Sequence, residues 1–155
     1  MHALIRPLLA PRVSESRAWA VAAARVAAGA VFIAFSFGKF VRHGAESAAL
    51  ERYGIPLADA ATYLVGVLEL AGGLALVLGV GTRLAAVAPA FDMAVAIATA
   101  GRIEGGPVHL GLAPALLAVM LTLIWAGAGR LSVDATLAGA SGPAALRLGP
   151  RTRAR

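Results

Sequence analysis

Four apolar stretches, at about residues 18–40, 60–80, 84–101 and 108–128, are each long enough to cross a bilayer, and together they occupy most of a 155-residue chain. Roughly 20 residues at the helical rise cover a hydrocarbon core of about 30 Å. Backbone in lipid must satisfy its own N–H and C=O groups, so each stretch has to be a helix. The expected fold is all-α, an integral membrane four-helix bundle, with too little chain left over for a soluble catalytic domain. Composition agrees: 59% of the residues are apolar, 14% are charged, and mean hydropathy is +0.80.

Around the spans, residues 1–17 form a basic arm with Arg6, Arg12 and Arg17, and residues 138–155 form a basic tail expected to be disordered. A cleaved signal peptide is the alternative reading of the first span, but its apolar run is longer and begins later than a signal core. Between the first two spans, residues 41–58 read as the longest loop, ending in a "YGIP" turn with Asp59 placed to cap the second helix. Near Ser132 a short helical or interfacial piece begins. Nine Lys and Arg residues fall on the side of the termini and four on the other, so both termini are expected in the cytosol. The net charge of +6, mostly arginine near the ends, suits anionic lipid head groups; nucleic acid is not an expected partner, since base-reading motifs are missing. No cysteine is present, which removes disulfides, thiolate metal sites and iron–sulfur clusters from this chain. His2, His43 and His109 stand too far apart in sequence for a metal or haem site.

Three ionisable residues fall well within the spans, away from their ends: Arg25, Glu69 and Asp92. Each costs about 2.5–3.5 kcal/mol at a helix centre, so they should face one another or a wet cavity. Counting along the helices from the cytosolic side, they lie at depths of about 10, 16 and 12 Å. An arginine fork is expected to bridge both carboxylates, leaving a cluster of charge −1; a role confined to locking helix register is the alternative. Gly66 and Gly73 flank Glu69 on one face, where a neighbouring helix can approach closely. Pro89 is expected to kink the third span one turn before Asp92 and free the carbonyl of Ala85. At the outer mouth Lys39, His43, Glu104 and His109 are candidates to converge on a head group or anion, with snorkelling as the alternative.

In order and spacing, "RVAAGAVFIAFSFGKF", "YGIP", "VGVLELAGGLALVLGVGTRLAA" and "GAGRLSVDATL" resemble the DoxX family of small four-helix bacterial membrane proteins, over residues 22–137. The family is related to the DoxD subunit of thiosulfate:quinone oxidoreductase. The resemblance maps its patterned positions onto Arg25, Gly29, Phe32, Gly38, Lys39, Gly66, Glu69, Gly72, Gly73, Gly79, Thr82 and Arg83. It implies a quinone-linked oxidoreductase subunit, or a membrane anchor of a redox-homeostasis complex, in a bacterial plasma membrane. Its cofactor would be a non-covalently held quinone, and its partners soluble redox enzymes or a second copy of the chain. A non-enzymatic scaffold, and a small-molecule transporter using the charged cluster, are the alternatives.

Overall fold

The structure, a computed structural model, describes residues 12–140. Helix α1 spans Glu15–Val41, α2 His43–Arg52, α3 Ala58–Leu78, α4 Thr82–Ala85, α5 Val87–Ala98 and α6 Ala100–Ile103. A π-helical segment, Val108–Leu112, leads into α7, Ala113–Ala126, and α8 covers Val133–Ala140. Among the described residues, four stretches are long and apolar enough to cross a membrane: α1, α3, α4 to α6 taken together, and the π segment with α7. Large apolar side chains such as Phe37, Leu64, Phe91 and Leu121 point outward, as lipid requires. The tail expected to be disordered starts inside α8, since residues 138–140 are helical; the rest of the tail, and most of the basic arm, lie outside the described residues.

Helices α1 and α3 pack antiparallel so closely that backbone meets backbone. A Cβ at Gly29 would come within 2.8 Å of the Gly73 carbonyl, and one at Gly73 within 2.8 Å of the Gly29 carbonyl. Gly72 receives Pro89 in the same way, at 3.0 Å from its Cγ. The third span breaks at Ala86, where the turn before Pro89 lacks the proline N–H, and again at Thr99. Pro114 likewise removes the N–H that would close an ordinary turn on Leu110, and the chain before it widens into the π segment.

Two loop expectations need correction. Residues 43–52 are a helix, because "HGAESAALER" is rich in alanine, glutamate, leucine and arginine, all good helix formers. Asp59 does not cap α3: the cap position is Leu57 in the left-handed conformation (φ 53°), and Asp59 lies in the first turn with its carboxylate on His43.

The end of the bundle that holds residues 12–25 and 126–134 is organised by Arg25, which has no exposed surface. Its Nε donates to the carbonyl of Ala128 at 3.0 Å, and its terminal nitrogens donate to those of Leu76, Val77 (2.9 Å), Arg130 (3.5 Å) and Leu131 (2.9 Å). These carbonyls are at the end of α3 and in the strap 127–132, where the helical ladder has stopped. Gly79 ends α3 with φ 69°, its N–H returning to Leu76 and that of Val80 to Ala75, a Schellman arrangement. A side chain at Gly79 would collide with Arg25 and Ser132. Asp134 then closes the next turn, its two oxygens accepting from the N–H groups of Gly81 at 2.7 Å and Thr82 at 2.8 Å.

Removing the guanidinium leaves several buried carbonyls without donors, each costing about 1–3 kcal/mol. Arg25→Ala is expected to lower the unfolding temperature in detergent sharply, and Arg25→Lys to recover little, since one ammonium cannot reach both α3 and the strap. Trp19 and Trp125, near this end, report the transition by fluorescence. Wild-type unfolding in Arg25→Ala would show that the guanidinium does not hold this end of the bundle together.

Candidate functional site

Arg25, Phe32 and Lys39 recur at seven-residue intervals on one face of α1. Fourteen residues of helix put the Cα atoms of Arg25 and Lys39 roughly 21 Å apart along the axis. Helical side chains lean toward the helix N-terminus. For Arg25 that direction leads away from the middle of the bundle, to the carbonyl hub. For Lys39 it leads inward, and Lys39 Nζ reaches Glu69 Oε2 at 2.8 Å. Glu69 is 2% exposed and Lys39 13%. Gly66, one turn before Glu69, makes the approach possible, since a Cβ there would sit 3.1 Å from that of Lys39.

Asp92, on α5, interacts electrostatically with both Glu69 and Lys39. The expected triad is therefore corrected in one member: Glu69 and Asp92 do come together, but the cation between them is Lys39, and Arg25 is committed elsewhere. With both carboxyls ionised the group carries charge −1. Lys39 and Glu69 form an ion pair, and a side-chain hydrogen bond joins Glu69 to Asp92.

The three charged groups form the floor of a cavity of about 390 Å³. Its walls are apolar, with Phe35, Val65, Met93, Leu112 and Leu116, and Thr99 is one polar exception. Arg42, Glu46, Tyr53 and His109 line it nearer α2. The residues expected at the mouth divide: Lys39 lies at the floor, His109 lines the cavity, and His43 does not. His43 instead stacks on Tyr63 with ring centroids 3.9 Å apart, and its Nε2 lies 2.8 Å from Asp59 Oδ1. His109 meets Tyr53 edge to face at 6.4 Å. Glu104, from the turn after α6, takes Arg52 at 3.1 Å and the Tyr53 hydroxyl, so it ties the end of α2 across to the third span.

These outer groups titrate accordingly. The hydrogen bond to Asp59 raises His43 above its usual range. Burial, followed by the hydrogen bond to Glu104, pushes Tyr53 up to about 12, so it stays a neutral donor. The Tyr53 hydroxyl and then Arg52 hold Glu104 below the ordinary carboxylate range.

Residues 20–102, more than half of the chain, match the DoxX family. The chain belongs to the DoxX family. No curated protein and no solved structure matches it. The matched segment contains Lys39, Glu69 and Asp92, and it ends before the π segment and the strap. Most positions onto which the resemblance maps a pattern serve packing here: Gly29 and Gly73 touch, Gly72 receives Pro89, Gly79 lies under Arg25, Phe32 is fully buried, and the N–H of Thr82 is held by Asp134. Arg83 is buried beside that turn. Gly38 borders the cavity, where a Cβ would come within 3.3 Å of Arg42 and Glu46. Asp134 lies in the segment "GAGRLSVDATL" that shares in the resemblance, but nothing local marks its partners, and its role is visible only once that helix is docked.

Because the His43–Asp59 contact stabilises the protonated ring, its contribution is present in full below the ordinary pKa of 6.5 and is lost as pH rises through the raised value. Thermal unfolding in detergent between about pH 6 and pH 8.5 is expected to show a falling midpoint that Asp59→Asn flattens. An unchanged slope in that variant would assign the titration to another group.

Proposed function

We propose that this DoxX protein is the quinone-binding membrane subunit of an oxidoreductase of the bacterial plasma membrane, with both termini in the cytosol. The observation that carries the reading is a cavity with apolar walls and a charged floor, of about 390 Å³, within the range of about 300–1,000 Å³ typical of small-molecule sites. The Glu69 carboxyl, 2% exposed at this floor, would accept a hydrogen bond from a ligand group that donates one. A bound quinone supplies two-electron, two-proton redox chemistry. Lys39 would donate to a carbonyl oxygen of the ring, and the facing carboxyls of Glu69 and Asp92 would hold one proton between them beside it. Phe35, Val65 and Met93 would offer apolar surface to a ring or prenyl tail.

With no cysteine in the chain, electrons would come from a soluble redox partner, and the excess of arginine on the cytosolic side would hold anionic head groups. Lys39→Ala and Asp92→Asn are expected to reduce bound quinone at least about tenfold, equivalent to 1.4 kcal/mol, in solvent extracts of the detergent-purified protein analysed by mass spectrometry. A wild-type extract with no more quinone than that of a membrane protein lacking such a cavity excludes the reading.

A further inference from the structure

We infer that the Lys39–Glu69–Asp92 cluster exchanges water and protons with one face of the membrane only, through a half-channel that opens beside α2. The inference rests on the cavity proposed above as the quinone site, but not on its occupant.

Side-chain exposure falls steadily along that route, from 73% at Arg42 and 30% at Glu46 to 13% at Lys39 and 2% at Glu69. All four line the same cavity, as do Tyr53 and His109, so polar groups continue from the α2 face down to the carboxyl pair. In the opposite direction the polar lining stops. Phe32, Leu76, Met120 and Leu123 have no exposed surface and belong to one apolar core. Phe32 stands midway between Lys39 and Arg25 on α1, roughly 10 Å from each along the axis. Below that layer the guanidinium of Arg25 is saturated by backbone carbonyls and offers no onward acceptor. The proton that neutralises one of two carboxylates facing a single ammonium therefore arrives from, and returns to, the water that bathes α2.

The groups facing the pair are Lys39 from α1, each carboxyl's counterpart on α3 or α5, and, farther out, Arg42, Glu46 and Tyr53 from the α2 side and His109 from the π segment.

The natural sequence has no cysteine, so single cysteines report position without background. Ala61→Cys and Ala96→Cys lie in the cavity, Ala28→Cys lies beside Phe32 in the apolar layer, and Gly44→Cys and Arg17→Cys mark the two faces. In sealed membrane vesicles of both orientations, a membrane-impermeant maleimide is expected to modify the two cavity cysteines from the Gly44→Cys face, at least about tenfold faster than from the Arg17→Cys face. Ala28→Cys should react from neither. Modification of the cavity cysteines from the Arg17→Cys face, equally from both, or from neither overturns the inference.

A second measurement uses the unaltered chain. A hydrophobic carbodiimide attacks protonated carboxyls in the membrane, and its adduct on Glu69 or Asp92 is located by mass spectrometry. Raising the pH on the α2 face alone should suppress the adduct, and control by the pH of the other face would overturn the inference. Neither measurement involves a quinone, so a quinone-free extract and a failed accessibility result are separate outcomes.

Discussion

A guanidinium without water must be surrounded by oxygen, and Arg25 finds that oxygen in backbone whose helices have ended. The last turn of α3 and the strap 127–132 both carry carbonyls that no helical N–H can reach, and the bilayer offers none from solvent. One side chain meets both needs. The left-handed Gly79, the turn at Gly81 and Thr82, and the carboxylate of Asp134 are consequences of bringing those two pieces of chain to the same guanidinium. The hub belongs to the stability of the bundle, and it is spatially separate from the cavity.

The same helix also serves the other charged layer. Arg25 and Lys39 share a face of α1 and lean the same way, yet the first reaches the end of α3 and the second its middle. Fourteen residues apart, they frame an apolar layer centred on Phe32. The charge left over at the upper layer, two carboxyls against one ammonium, gives this DoxX protein a polar floor under an apolar chamber, and α2 brings Glu46 and Tyr53 to its outer part.

Hydropathy and length are sufficient to locate the four spans, because lipid allows few alternatives. They say nothing of α2, whose charges and flanking breakers read as loop although its residues favour helix. That Glu69 and Asp92 must find company inside the bundle is likewise legible from the cost of a charge in hydrocarbon. Which cation they find is not, if depth is judged from Cα positions alone. Two cations several turns apart on one helix then differ only in distance, whereas the lean of helical side chains toward the N-terminus sends Lys39 to Glu69 and Arg25 away from it. Asp134 shows a different limit: its partners lie 52 and 53 residues away in sequence, and no local pattern announces a contact made by docking.

The meeting of Gly29 and Gly73 has a mechanical consequence. Where two backbones touch, no side chain stands between them to change rotamer, and α1 and α3 are held as one rigid plate. Lys39 and Glu69 both ride on that plate, so the distance between them is insulated from breathing of the bundle. Asp92 rides on α5, in a span already broken at Ala86 and Thr99. Any widening of the chamber to admit a guest thus moves the aspartate while the lysine and glutamate stay in register.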